Sequence, residues 1–287
     1  MRLVAPTAFK GTMSPIEAAR ALALAGDRLL PLSDGGDGFL ECAQAALGGD
    51  MRTHPACDPF GHVRPVPYLV LSDGTAVVES AKVIGMAGLE RLHAMAASSL
   101  GLWQLLCELR EAHALWIGLG GTATMDGGRD WPPLVLPPTT VFCDVTTDLV
   151  DAARIYGPQK GASPLQVVQL EQRLRELRLP RGPRTGAAGG LGAKLFALGA
   201  RLVDGAESML DTVHFNDACA GCDTVVTGEG RLDASSLEGK LPVVVARRAR
   251  ALGLRVLGHF GCRGAGWEEA ARCFDEIRFG VASVEDA

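Results

Sequence analysis

The sequence predicts an α/β protein in two domains, one of them assembled from both ends of the chain. Three observations carry that expectation. Apolar runs of strand length alternate with helix-length stretches, the pattern of a largely parallel sheet. Mid-chain, an Asp-Gly turn between two apolar runs signals a hairpin and breaks the alternation, so a second domain is inserted there. Glycine supplies 36 of the 287 residues, and it gathers in short clusters after apolar runs, where α/β enzymes put their ligand loops. The expected discontinuous domain covers residues 1–55 and 216–287, and the inserted α/β domain covers 56–215.

The elements follow in chain order. Leu3–Ala5 is a short apolar strand. Ser14-Pro-Ile-Glu17 forms a capping box with proline at the first helical position, and Gly26 stops that helix. Leu29–Leu32 is a second strand, and Ser33–Gly38 a loop leading into a helix that ends at Gly48-Gly49. Tyr68–Leu71 and Thr75–Glu79 flank the hairpin turn Ser72-Asp73-Gly74. A helix from Ser99 to His113 precedes the strand Ala114–Ile117 and the long loop Gly118–Gly128. Trp131–Pro138 holds four prolines and reads as a connector. Thr140–Val145 is a further strand. Ser163-Pro-Leu-Gln166 is a second capping box, and its helix puts Val167, Leu170, Leu174 and Leu177 on one face. Gly186–Gly192 opens another helix. Thr224–Val226 runs into a loop at Thr227–Asp233. Helix Pro242–Leu252 and strands Val256–Phe260 and Ile277–Phe279 complete the pattern.

Composition narrows the function. A hydrophobic content of 47% supports a sizeable core, and a formal net charge of −5 argues against a nucleic-acid partner. No apolar run approaches bilayer-spanning length. The Met-Arg-Leu-Val-Ala-Pro start has no basic segment leading into an apolar signal core, so a cytoplasmic protein is expected. The eight cysteines lie mostly within apolar stretches and read as buried thiols of a reducing compartment. Cys219-Ala-Gly-Cys222 lacks the second pair that a zinc site needs. The histidines show no metal or triad spacing.

The chain lacks GxxxxGK[ST], so it is not a Walker-type ATPase, and no GxGxxG follows the first strand, so a dinucleotide-binding fold has little support. Six other loops are rich in glycine, Phe9–Thr12, Asp34–Gly38, Gly118–Gly128, Gly157–Gly161, Gly186–Gly192 and Thr227–Asp233, and all but Gly186–Gly192 add a charged residue. Phosphoryl transfer asks for these components: close backbone N–H groups, cations on the moving charge, and carboxylates for a metal and the acceptor hydroxyl. Only five of 28 basic residues are lysine, and Lys10, Lys160 and Lys240 each adjoin a glycine. A compact ammonium facing phosphate is one use that would set lysine apart from arginine.

The motifs Ala5-Pro-Thr-Ala-Phe-Lys-Gly-Thr12, Asp34-Gly-Gly-Asp-Gly38, Gly118-Leu-Gly-Gly-Thr-Ala-Thr-Met-Asp-Gly-Gly128, Gly157-Pro-Gln-Lys-Gly-Ala162, Gly186-Ala-Ala-Gly-Gly-Leu-Gly192 and Thr227-Gly-Glu-Gly-Arg-Leu-Asp233 occur in this order. In that order, over nearly the whole chain, the sequence resembles the type I glycerate kinase family. The resemblance implies ATP-dependent, Mg²⁺-assisted phosphorylation of D-glycerate, typically to 2-phosphoglycerate, by a monomer or homodimer. It also implies a flavodoxin-like (Rossmann-like) domain and a second α/β domain, with the active site in the cleft.

On this reading Lys10, Arg231 and Asp233 are the catalytic candidates. Lys10 is a cation for carboxylate or transferring phosphate. Arg231 pairs with the substrate carboxylate, and Asp233 orients or deprotonates the acceptor hydroxyl. Lys160, Gly120, Gly121, Thr122, Gly189 and Gly190 are the phosphate and nucleotide contacts. Asp34, Gly35, Gly36 and Asp126 are assigned to substrate, and Glu229 to the metal.

The chain departs from the family pattern at several points. Thr7 and Ala8 stand where Asp and Ser are usual, and Met125 where Asn is common. Thr146-Thr147 replaces an Asp-Asn pair, and the stretch between Gly128 and Val141 is short. These departures bear on the nucleotide pocket, the substrate range and oligomer contacts. They keep two alternatives in view: a kinase for another small hydroxy acid, and a non-catalytic relative that binds nucleotide or metabolite.

Overall fold

A computed structural model describes residues 1–280; residues 281–287, the end of the expected 216–287 segment, lie outside the described residues. The chain divides into two compact units, residues 1–34, 41–47 and 206 onward, and residues 35–40 and 48–205. Its strands are β1 (Arg2–Val4), β2 (Arg28–Leu29), β3 (Asp50–Cys57), β4 (Val63–Val70), β5 (Thr75–Glu79), β6 (Ala114–Gly118), β7 (Thr139–Cys143), β8 (Arg201–Asp204), β9 (Thr224–Leu232), β10 (Arg255–Arg263) and β11 (Glu276–Phe279).

The first unit is a parallel sheet in the order β11-β10-β9-β1-β2. Counted within the unit this is 2-1-3-4-5, the flavodoxin-like order, whose switch point lies between β1 and β9. Leu3 and Val4 are fully buried, as a central strand requires. Helix Pro15–Leu22 starts where the sequence places it. Ser14 Oγ accepts from the Glu17 N–H at 3.3 Å, and Glu17 accepts from the Ser14 N–H at 2.8 Å. The helix buries Ala18, Ala19 and Leu22, and Leu22 packs on Val4 and Val226.

One expectation fails in this unit. Thr227–Asp233 reads as a loop because of its glycines, yet β9 continues through Leu232, with Glu229 opposite Phe260 and Arg231 opposite Cys262. The glycines serve close strand approach instead of a turn. A Cβ on Gly228 would lie 1.8 Å from the His259 carbonyl oxygen.

The second unit is a mixed sheet in the order β3-β4-β5-β6-β7-β8. The predicted hairpin is present, with Leu69 opposite Val77, and β5 through β8 run parallel. The edge strand β3 was not legible: it lacks clean alternation, and Pro55 sits opposite Pro65 of β4. Proline removes a ladder donor, so such a pair escapes a period-two search. Helix Leu100–Glu108 buries Leu102, Leu105 and Leu106 against Val66, Val78, Leu115 and Ile117. The proline connector is tacked to this core, since buried Trp131 donates from Nε1 to Ser99 Oγ at 2.8 Å. Among the described residues no helix is long and apolar enough to cross a membrane.

Candidate functional site

In the second unit, chemistry collects on loops leaving the C-terminal ends of β6 and β7. A small pocket of about 60 Å³ is lined by Gly120, Gly121, Thr122, Asp144, Tyr156, Gln159 and Lys160, among others. Lys160 closes a short 3₁₀ turn, Pro158–Lys160, and Gly161 follows with φ +85°. A Cβ on Gly161 would lie 2.4 Å from the Leu92 carbonyl oxygen, so only glycine fits. This turn sends the lysine side chain inward, where it is buried. Its ammonium donates to Thr122 Oγ1 at 3.2 Å and to the Thr124 carbonyl at 2.9 Å. Two donors are thus engaged, and an ammonium has three. Burial pushes Lys160 down to about 7, against the opposing pull of the Asp126 and Asp144 charges.

The glycines around this lysine have separate tasks. Gly121 is left-handed, at φ +64°. A Cβ on Gly120 would come within 3.0 Å of both Asp144 Oδ2 and the Gly36 Cα, so backbone from two loops converges here. Gly35 presses on β7, its Cβ position being 2.3 Å from the Phe142 carbonyl oxygen. Buried Glu79 fixes the same loop by accepting from Gly38 N–H at 3.2 Å and Leu40 N–H at 3.1 Å. Gly35 thus packs tightly on β7, and Gly36 backbone closely approaches Gly120.

Gly189 and Gly190, with Ala188, form three successive positive-φ residues at 69°, 95° and 50° respectively. Gly189 fits against the β6 loop, its Cβ position lying 2.1 Å from the Thr124 carbonyl oxygen. This turn braces the carbonyl that accepts the Lys160 hydrogen bond, and only Ala188 of the three lines the pocket. Asp126 is likewise turned to structure. Its Oδ2 accepts from Ser99 N–H at 2.7 Å and Ser99 Oγ at 2.8 Å, and its Oδ1 accepts from Gly128 N–H at 3.3 Å. Burial pushes its carboxyl upward.

Of the expected phosphate and nucleotide contacts, the pocket brings together Gly120, Gly121, Thr122 and Lys160. The candidate set omitted Asp144, Tyr156 and Gln159. Asp144 directly follows β7, and that position was a usable signal. Tyr156, bonded through its hydroxyl to Thr147 Oγ1 at 2.6 Å, and Gln159 carry no local signal beyond adjacency to Lys160.

In the first unit, the loop after β1 and the C-terminal half of β9 flank the switch point. Thr7 N–H donates to the Gly228 carbonyl at 3.0 Å, and Gly230 lies alongside the Phe9–Lys10 backbone. Lys10 is exposed on a tight turn closed by Phe9 N–H to Met13 O at 2.9 Å. Asp233 accepts from Ser235 Oγ at 2.5 Å, faces Lys240 Nζ at 3.3 Å and lies 3.6 Å from Arg231 Nε. The Ser235 hydrogen bond, followed by the Lys240 charge, holds its carboxyl below the usual range despite some burial.

Glu229 is its opposite. Burial pushes Glu229 up to about 7, and the Asp34 and Asp233 charges add to the rise. Lys240 and a 3.0 Å hydrogen bond from Ser236 Oγ pull the other way. Lys240 was outside the candidate set, although its place beside Gly239 is visible in the sequence. Among the described residues no three His, Cys, Asp or Glu side chains converge as a ready metal cage.

A flavodoxin-order sheet, with a charged cluster at its switch point, and a second sheet whose loops wrap a buried lysine in glycine backbone define an α/β protein with polar, glycine-rich strand-end loops, where α/β enzymes place their ligand sites. Comparison with known proteins makes this specific. The profile of the glycerate kinase family matches residues 2–130 and 137–282, so the chain belongs to the glycerate kinase family. The unmatched stretch falls inside the proline connector. Glycerate kinase of Halalkalibacterium halodurans is 31% identical over 93% of this chain and 86% of its own length. Glycerate 2-kinase of Escherichia coli K12 is 30% identical over 90% of this chain and 84% of its own. A crystal structure assigned to glycerate kinase 2 of Salmonella typhimurium LT2 superposes with a TM-score of 0.78 at 28% identity, covering 100% of this chain and 92% of that one.

Proposed function

We propose that this protein transfers the terminal phosphoryl group of ATP to a hydroxyl of D-glycerate, giving 2-phosphoglycerate. Within the family assignment, the observation that carries the reading is Lys160. It is a buried ammonium with a spare donor in a pocket lined by Gly120, Gly121 and Thr122. Such a group favours an anion that replaces lost solvation, which suits a phosphate. The pocket therefore takes phosphate oxygens, and the ammonium steadies the charge that shifts during transfer.

The residues of the first unit serve the acceptor. Glu229, held near neutrality by burial, takes the hydroxyl proton, since a base works best with its pKa near the working pH. Asp233 is too well satisfied for that task and instead orients Lys240 and Arg231. Lys10 and Arg231, both exposed, meet the glycerate carboxylate. Mg²⁺ takes oxygen ligands and usually needs one or two protein carboxylates besides phosphate and water, so Asp34 beside the field of Glu229 suits it. When bound, Mg²⁺ supplies charge neutralisation on the phosphates.

Purified protein supplied with Mg-ATP should release ADP only when D-glycerate is present. Absence of glycerate-dependent ADP release would sink the reading. Turnover with a different member of a hydroxy-acid panel would move the acceptor, and binding of ATP or glycerate without turnover would favour the non-catalytic alternative.

A further inference from the structure

The segment from Arg173 to Arg184 carries five arginines. Two are tied down: Arg173 donates to the Met95 carbonyl at 3.2 Å, and Arg184 donates to Asp204 Oδ2 at 3.0 Å. The other three, Arg175, Arg178 and Arg181, line a second open pocket of about 250 Å³ in the second unit. Among the described residues none of these three guanidinium groups has a hydrogen-bond or ion-pair partner. The lining includes one carboxylate, Glu171, and its floor is apolar, with Leu149 and Leu174. Three guanidinium charges against one carboxylate leave a local excess of positive charge on a chain whose net charge is −5.

Arg178 adds an independent observation. It follows the C-cap Leu177 of helix Pro164–Glu176 and has φ +50°, the left-handed conformation that helix ends reserve for glycine. Here the chain holds an arginine in an unfavourable backbone conformation at the rim of the pocket. This pocket shares no lining residue with the one containing Lys160.

We propose that the Arg175–Arg178–Arg181 pocket is a second anion site that takes a small organic phosphate, its charged group on the guanidinium forks and its carbon skeleton on the leucine floor. Planar guanidinium groups match phosphate and carboxylate oxygens in pairs, and the apolar floor favours an organic ligand over inorganic phosphate. The inference stands apart from the phosphoryl-transfer reading, because it concerns binding at a separate place.

The test is isothermal titration of the full chain with 2-phosphoglycerate and with inorganic phosphate, on wild type, Arg178→Gly, Arg175→Ala and Lys160→Met. Wild type and Lys160→Met are expected to bind 2-phosphoglycerate at this site, more tightly than inorganic phosphate. Arg178→Gly and Arg175→Ala are expected to weaken that binding about tenfold or more, as loss of a charged hydrogen bond does. Arg178→Gly should keep an unfolding midpoint at or above wild type, because glycine suits the left-handed position, and should leave basal turnover unchanged. The proposal is overturned if both arginine variants bind as wild type does, if Lys160→Met alone abolishes binding, or if neither probe binds at millimolar concentration.

Discussion

Lys160→Met is the sharpest perturbation that the structure offers. Methionine keeps the length of the side chain and removes the buried charge. The lysine falls from 10.5 to about 7 on folding. At 1.36 kcal/mol per unit the shift corresponds to roughly 4–5 kcal/mol. Because the folded pKa is depressed, the unfolded chain binds more protons between the two values. The penalty is therefore full below pH 7 and fades as pH rises toward 10.5. The variant escapes the penalty but forfeits the bonds to Thr122 and the Thr124 carbonyl, worth about 1 kcal/mol each. A net stabilisation of roughly 2–3 kcal/mol at pH 7 results, shrinking toward pH 10 and reversing once the charge is gone. Urea unfolding of both proteins at pH 7, 8 and 9 reads this difference directly, and the comparison cancels other titrating groups. In the same preparation kcat/KM for ATP should drop by roughly 10²-fold or more, since an electrostatic contact to the moving charge is lost. A variant less stable than wild type at pH 7, or a stability difference independent of pH, would refute the picture of a desolvated ammonium held for a ligand.

Three further outcomes follow from geometry. Glu229→Gln should lower kcat by about 10²–10⁴-fold, and wild-type kcat/KM should fall on the acid side of about pH 7, a limb that the variant lacks; an unchanged profile assigns the proton elsewhere. Gly189→Ala places a Cβ 2.1 Å from the Thr124 carbonyl oxygen at φ +69°. It should cost roughly 2–5 kcal/mol from strain and overpacking, read as a lower urea midpoint. Gly228→Ala should open the β9–β10 pairing, where the added carbon would meet the His259 carbonyl at 1.8 Å; hydrogen exchange at Gly258 to Phe260 should accelerate.

Local signals in the sequence were reliable where one residue type had one job. Ser14 and Ser163 both close capping boxes, because serine and an N3 acid or amide satisfy orphan N–H groups, and proline at the first position removes one, wherever they occur. The hairpin at Asp73-Gly74 holds for a similar reason. Glycine was legible as important and illegible as to purpose. Gly121 and Gly161 adopt conformations that side chains avoid, Gly228 lets two strands approach, and Gly189 braces a carbonyl from behind. These uses look alike in one dimension, since what decides among them is the neighbour on another strand or loop. For that reason the Thr227–Asp233 segment reads as a loop and folds as a strand, and Gly189 and Asp126, expected as contacts, are seen to pack on the Thr124 carbonyl and to bond Ser99 and Gly128.

The carboxylates make the same point about chemistry. Glu229 and Asp233 sit four residues apart in one motif, and the sequence offers no ground for ranking them as the group that meets the acceptor hydroxyl and the group that meets the metal. Burial separates them. Asp233 reaches Ser235, Lys240 and Arg231, so its negative charge is well compensated and its proton affinity low. Glu229 points into a drier place with Asp34 and Asp233 as like charges, so its affinity rises to the range where a proton can be taken and returned at neutral pH. Two carboxyls with pKa values driven apart by surroundings mark the division between the group that accepts a proton and the group that holds the cations in place. On the proposed reading the roles therefore exchange: Glu229 would take the proton, Asp233 would position Lys240 and Arg231, and Mg²⁺ would fall to Asp34 and the phosphates.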